Sequence, residues 1–385
     1  MKFLIIVKFI ELIRGITPIA LADSVGIGMA GFFWFYLATL IEPEEFGELQ
    51  FFLGIASIAY VISLIGAQNT IVVYSAKNVK VISTLYIFSL IATAVSSIIL
   101  ISVFYRLDIG LIVFGYVIAE LSLSYLLGKK LFQSYPWYVL SQKGLVVIFG
   151  IGFFYSFGVE YVIFGLALSY IPFVKIFFDG IRHSSISLSL FRSHVQFITN
   201  NYLNNIVVGV KGQIGKILVV PILGFSTLGD FALSLQIFSI LIMFSGISYK
   251  YLLPQDSTGI RNTEFKKLII IIAIIISIIG ITLTPHTLPT IFPKYAGVVD
   301  SIQILSIAVI PITISFIITS QLLGAERSRI VLIGESMAFG TIVIGVLFLG
   351  SLFNIQGLAI SYVLAFSFQA IFLFIFRNKK IRLLK

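Results

Sequence analysis

Residues 201–224 read NYLNNIVVGVKGQIGKILVVPILG, a run apolar enough to cross a bilayer and long enough to do so. At the helical repeat, Asn201, Asn204, Asn205, Gly209, Lys211, Gly212, Gly215 and Lys216 fall within a sector of about 160°. The opposite arc holds Leu203, Ile206, Val207, Val210, Ile214 and Ile217, so one side suits lipid and the other a polar, sterically open interior. A lysine at mid-bilayer costs about 2.5–3.5 kcal/mol on insertion scales. Two in one span predict a helix that lines a cavity for an anion, with Lys211, Lys216, Asn205 and Asn201 as the substrate-binding candidates.

The rest of the chain has the composition such a helix requires. Of 385 residues, 59% are hydrophobic and 11% charged, against about 45–50% and 25% in soluble domains. Apolar runs recur along the whole length, many exceeding the ~18 residues that mark a membrane span, so the fold class is an all-α polytopic membrane protein. A β-barrel is excluded because its strands would alternate in polarity. The net charge of +10 is the excess of basic residues that cytoplasmic loops of membrane proteins carry, so no nucleic-acid partner is expected. The chain has no cysteine, and His183, His194 and His286 show no ligand spacing, so no metal and no cofactor is expected.

Twelve spans are predicted at about 16–41, 47–67, 81–105, 109–128, 137–158, 160–178, 197–223, 228–252, 268–284, 301–322, 330–353 and 357–376. Residues 1–15 carry Lys8, Glu11 and Arg14 among aliphatics and read as an interfacial amphipathic helix running into the first span. Those charges interrupt the apolar region a signal peptide needs, so no cleavage is expected at Ala20-Leu21-Ala22. With both termini inside, 21 of the 26 lysines and arginines lie at the inner side, two lie outside (Arg106, Lys294) and three lie within spans (Lys143, Lys211, Lys216). That asymmetry fixes the expected orientation in a cytoplasmic membrane.

Shifting the chain by 182 positions overlays residues 41–49, IEPEEFGEL, on residues 223–231, LGFSTLGDF, so that Gly47-Glu48 meets Gly229-Asp230. Both stretches lie in the outside turn after the first span of a half. Six spans per half in the same orientation predict two six-helix lobes, residues 1–183 and 184–385, related by a pseudo-two-fold axis along the membrane normal.

The turn Glu42-Pro43-Glu44-Glu45-Phe46-Gly47 resembles the outside turn of polysaccharide flippases of the multidrug/oligosaccharidyl-lipid/polysaccharide exporter superfamily. Two more stretches carry the resemblance. Residues 228–232, LGDFA, precede a span ending Tyr251-Leu252-Leu253-Pro254, and Phe292-Pro293-Lys294-Tyr295-Ala296 lead through to Leu322-Leu323-Gly324-Ala325-Glu326-Arg327. The resemblance implies alternating access and transfer of a polyprenyl-linked oligosaccharide from the inner to the outer leaflet. Where many relatives have an acidic-basic pair in the seventh helix, this chain reads Gly215-Lys216, which keeps the cation and loses the acid.

No phosphate loop or nucleophile elbow is present, so a non-enzymatic transporter is expected. Other ionisable residues inside spans are candidates in their own right. Asp23, placed opposite Asn205 by the repeat and facing the same cavity from the other lobe, and Glu120 in span four could hold a coupling monovalent cation or a proton. Lys143 is expected to snorkel to the inner interface. Glu335 reads as structural, neutralised by Arg327 or Arg329. The expected partners are a lipid-linked oligosaccharide, membrane lipid and glycosyltransferases of the same pathway. A cation-coupled multidrug or metabolite exporter is the alternative, a membrane-bound glycan polymerase or ligase a third reading, and a membrane scaffold a fourth.

Overall fold

The computed structural model describes residues 2–76, 79, 81–182, 186–257, 262–295, 297–325 and 327–377. His183, Ala296, Glu326, the expected lobe junction at 183/184 and the basic tail lie outside these residues. So do the side chains of Lys8, Glu11, Arg14, Ala20, Asn204 and Pro254.

The described residues form helices α1 (Lys2–Leu40), α2 (Pro43–Ser63), α3 (Ala67–Ala76), α4 (Ile82–Phe104), α5 (Leu107–Gly128), α6 (Tyr135–Phe157), α7 (Val162–Leu168), α8 (Phe173–Ile181), α9 (Leu188–Ser193), α10 (Val195–Leu241), α11 (Met243–Ser257), α12 (Thr263–Ile291), α13 (Val298–Gly324) and α14 (Ser328–Phe376). Nine described helices are long and apolar enough to cross a membrane, and α7 with α8, bent by 48°, makes a tenth crossing. The bend falls at residues 169–173, where i→i−3 turns replace helical bonding and Pro172, which has no N–H, precedes α8.

Two of the nine are too long for one crossing. At 47 and 49 residues, α10 and α14 would each extend about 70 Å, more than twice the ~30 Å hydrocarbon core. Each is broken near its middle. In α10 the break is Gly224 (φ 79°), a left-handed conformation suited to glycine, one residue beyond the predicted end of span seven. In α14 it is Phe353 and Asn354 (φ 50°). Divided there, with α11 continuing the second half of α10, the described helices make the twelve passages that the sequence predicts.

The chain forms two compact units, one from Met1–Leu37 and Phe52–Val210, the other from Ala38–Phe51 and Lys211–Lys385. Their bounds therefore fall inside α1, α2 and α10.

In the first unit α1 and α6 run side by side in the same direction. Tyr135 Oη donates to Asp23 Oδ1 at 3.1 Å, and a side-chain carbon at Gly26 would lie 3.3 Å from Lys143 Cγ. Further along, Met29 lies by Gly144 and Phe33 fills the space left by Gly150. Tyr36 and Tyr155 meet through their hydroxyls at 2.9 Å. Both residue numbers rise together through these contacts, which is the signature of a parallel pair. One end of the unit holds a cluster of Leu64, Ile71, Ile82, Leu85, Tyr86 and Phe177, with α3 packed into it. Helix α3 occupies what the sequence left as a loop, set off from α2 by Ile65 (φ 48°) and Gly66 (φ 73°).

The second unit contains the paired repeat segments. A side-chain carbon at Gly47 would overlap the Phe225 carbonyl oxygen, and one at Gly229 would overlap the Pro43 carbonyl oxygen. Hydroxyls in these spans are spent largely on backbone carbonyls one turn back, as in Ser234 to Asp230 (2.8 Å) and Ser361 to Gly357 (2.7 Å), which keeps them satisfied in hydrocarbon. Between α11, α12 and α13, Asp256 pairs with Lys266 at 2.5 Å and accepts from Ser320 at 2.6 Å.

Candidate functional site

The first unit contains an open cavity of about 370 Å³ between its helices, with charged and phenolic side chains in its lining. Asp23 of α1, Glu120 of α5 and Lys143 of α6 all line it, together with Tyr60, Tyr116 and Tyr135. Each carboxylate is held by a phenol: Tyr135 donates to Asp23, and Tyr60 Oη donates to Glu120 Oε2 at 3.1 Å. Gln68 lies near Glu120, and Gln142 Nε2 donates to Ser169 Oγ at 3.1 Å. The rings of Tyr60, Tyr116 and Tyr170 form a chain of edge-to-face contacts, with centroids 5.7 and 5.5 Å apart.

Lys143 does not run to the interface as expected. Its stem packs against Gly26, and the residue lines the cavity. The glycine at position 26 removes the side chain that would otherwise occupy that route. Among the described residues Lys143 makes no hydrogen bond and no ion pair, although Asp23 is near enough for its charge to act on it.

The seventh span serves both units. Asn201 and Asn205 belong to the first and Lys211 and Lys216 to the second, the division falling between residues 210 and 211. Asn201 Nδ2 donates to the Phe197 carbonyl at 2.9 Å, within its own helix. Asn205 joins Gln68 and Asn69, each at 3.4 Å. Asp23 and Asn205 thus share one unit, where the repeat had placed them in opposite lobes.

The two lysines differ. Lys211 pairs with Glu335, whose other carboxylate oxygen accepts from Gln369 Nε2 at 2.8 Å. This corrects the expectation that Arg327 or Arg329 neutralises Glu335. The Arg327 guanidinium donates instead to the Phe376 and Arg377 carbonyls at the end of α14, and it is Lys211 that pairs with Glu335. Lys216 donates to Gln50 Oε1 at 2.9 Å, and no carboxylate pairs with it among the described residues. The Gln50 amide nitrogen is buried with no acceptor. Among the described residues, Lys216 and Gln50 together therefore carry N–H groups in excess of the acceptors around them.

Sequence reasoning named the charged members of these groups and Asn205, but not the glutamines or the tyrosines. Gln50, Gln142 and Gln369 are amides within apolar runs, as costly there as many ionisable groups and visible by the same criterion. The cavity tyrosines carried no such signal, because aromatic residues make up 15% of the chain.

No family model matches the chain, and no curated protein matches it by sequence. Solved structures do. An inward-facing "multidrug resistance MATE family transporter of the MOP superfamily" superposes with a TM-score of 0.69 at 14% identity, over 94% of this chain and 97% of that one. The lipid II flippase MurJ, in an inward closed conformation, superposes with a TM-score of 0.73 at 13% identity, over 92% and 86%. A MATE in complex with MaL6 gives 0.65 at 16% identity, over 94% and 95%. The chain has the fold shared by these transporters.

Proposed function

We propose that this protein is a flippase for a lipid-linked oligosaccharide. It moves a polyprenyl-phosphate- or pyrophosphate-linked glycan from the inner to the outer leaflet of the cytoplasmic membrane, for envelope glycan assembly. Alternating access is worked by two lobes, residues 1–183 and 184–385, with both termini on the cytoplasmic side.

The observation that carries this reading is one ammonium in each compact unit, Lys143 and Lys216, that has no carboxylate in ion-pair contact among the described residues. Charge left unneutralised at membrane depth favours an anionic cargo, since a phosphate there gains charge-assisted hydrogen bonds in a low dielectric. Lys211 is a weaker candidate, because Glu335 already neutralises it. Tyrosine rings and carboxylates offer a sugar both flat apolar faces and hydrogen-bond acceptors. The neighbouring lipid II flippase is consistent with lipid-linked cargo.

A second reading has its own support. Asp23 and Glu120 line one cavity, and two carboxylates in one site suit a proton or monovalent cation, as a coupled exporter of drugs or metabolites would need. Deleting the protein from its host distinguishes the two. A flippase leaves the lipid-linked precursor accumulating on the cytoplasmic leaflet while envelope glycan falls, whereas an exporter changes drug sensitivity and leaves the precursor unaltered.

A further inference from the structure

Lys211 and Lys216 stand about 7.5 Å apart along the axis of α10. Both belong to the second unit, as do all the residues around them named below. Glu335 bridges Lys211 and an amide: one carboxylate oxygen takes the ammonium, and the other accepts from Gln369 Nε2 at 2.8 Å. Lys216 also has an amide beside it, Gln50 of α2, but no carboxylate among the described residues. The same two donor types therefore recur further along the helix, without the carboxylate that joins them at Lys211.

Gln50 is 2% exposed, and its neighbour settles its orientation. An ammonium only donates, so the amide oxygen must face Lys216, at 2.9 Å, and the amide nitrogen must be turned away. That nitrogen finds no acceptor among the described residues, and Lys216 gives a single hydrogen bond there, to Gln50. Buried amide N–H groups seldom go without a partner in a folded chain, so this one points to an oxygen acceptor that the chain itself does not supply. Lys216 is the more accessible of the two, part-buried where Gln50 is covered. The ammonium is thus the group that an anion reaches, while Gln50 holds it in place and leaves its charge intact.

A single ammonium balances a single negative charge, and donors on two side chains suit an anion with two acceptor oxygens. A carboxylate meets both conditions, as Glu335 does at Lys211. A carrier pyrophosphate brings more than one negative charge and would leave an excess in a low dielectric. We propose that Lys216, held by Gln50, is the site for a carboxylate on the transported glycan, so that the cargo includes an acidic sugar of the hexuronate class. Gln50 sets this specificity by keeping the ammonium unneutralised. The assignment deepens the flippase reading and rests on it.

Native mass spectrometry of the detergent-purified full chain tests it with two synthetic probes, undecaprenyl-pyrophosphate-linked disaccharides that end in glucuronate or in glucose. Wild-type protein should bind the glucuronate probe about tenfold more tightly, the scale of one charge-assisted hydrogen bond. Gln50→Glu places a carboxylate of nearly the same shape beside Lys216, as Glu335 stands beside Lys211. It should erase the preference by weakening the glucuronate probe alone, with a melting temperature at or above that of wild type. Lys216→Met should erase the preference in the same way. If Gln50 served only to prop a structural lysine, Gln50→Glu would strengthen the prop and leave binding unaltered. A glucuronate preference that survives Gln50→Glu therefore overturns the assignment. Equal binding of both probes by wild-type protein also overturns it and leaves the flippase reading standing. Both probes weakened alike in Gln50→Glu would give Lys216 to the carrier's phosphate and overturn the carboxylate assignment. Wild-type protein that binds neither probe overturns the flippase reading itself.

Discussion

Gly47 and Gly229 contact each other's segments reciprocally: each lies against a backbone carbonyl four residues before the other, Phe225 for Gly47 and Pro43 for Gly229. Phe225 and Pro43 are themselves counterparts under the 182-position shift that aligns the two glycines. A contact in which i meets j′ and j meets i′ is what a two-fold relation between two segments produces. The two short turns aligned in the sequence are thus partners in space, within one compact unit.

Either glycine replaced by alanine should force these backbones apart. Overpacking of this kind costs about 1–3 kcal/mol. Melting temperatures in detergent should fall for Gly47→Ala and Gly229→Ala, and should hold for Gly246→Ala, where a side-chain carbon meets nothing within 4 Å.

Lys211 and Lys216, five residues apart on one helix, should respond in opposite directions. Lys211→Met strands the Glu335 carboxylate, and breaking such a buried pair typically destabilises by about 3–5 kcal/mol. Lys211→Met with Glu335→Gln should recover most of that loss. Lys216→Met removes an ammonium paired only with an amide, relieving an insertion cost of about 2.5–3.5 kcal/mol, so the protein should be at least as stable as wild type. Thermal unfolding of the three variants checks the signs.

Much of this was legible from residues alone. Twelve apolar runs gave the crossings, and the polar face of residues 201–216 marked the span that the two units share. What could not be read was the partner of each polar side chain. Span spacing places Lys211 at a depth, but whether Glu335 or Asp23 meets it depends on how helices far apart in sequence pack. Lys143 shows the same limit, since its direction was decided by the space beside Gly26 on another helix. Neutral amides such as Gln50 went unnoticed because attention fell on formal charge.

The topology has a direct test in a chain without cysteine. Single cysteines at Glu44 and Asn354, both exposed, should react with a membrane-impermeant maleimide on intact cells. One at exposed Ser257 should react only after permeabilisation. The reverse pattern would invert the map.

Glu120→Gln keeps an acceptor for Tyr60 while abolishing the titratable carboxylate. If Asp23 and Glu120 supply coupling, transport by Glu120→Gln in vesicles should lose its dependence on an imposed pH or sodium gradient while the melting temperature stays within a few degrees of wild type. Transport that keeps its full gradient dependence would remove Glu120 from any coupling role.

Reconstitution of the full chain into vesicles is the closest approach to the transport itself. Fluorescent undecaprenyl-phosphate-linked sugar is placed in both leaflets, and outer-leaflet label is quenched by an impermeant reductant. Wild-type protein should allow nearly all of the label to be quenched over time, and the folded Lys143→Gln and Lys216→Met variants should leave the inner-leaflet fraction protected. Wild-type vesicles that protect the label as well as protein-free ones do, or variants that flip at the wild-type rate, would contradict a flippase built around those two ammonium groups.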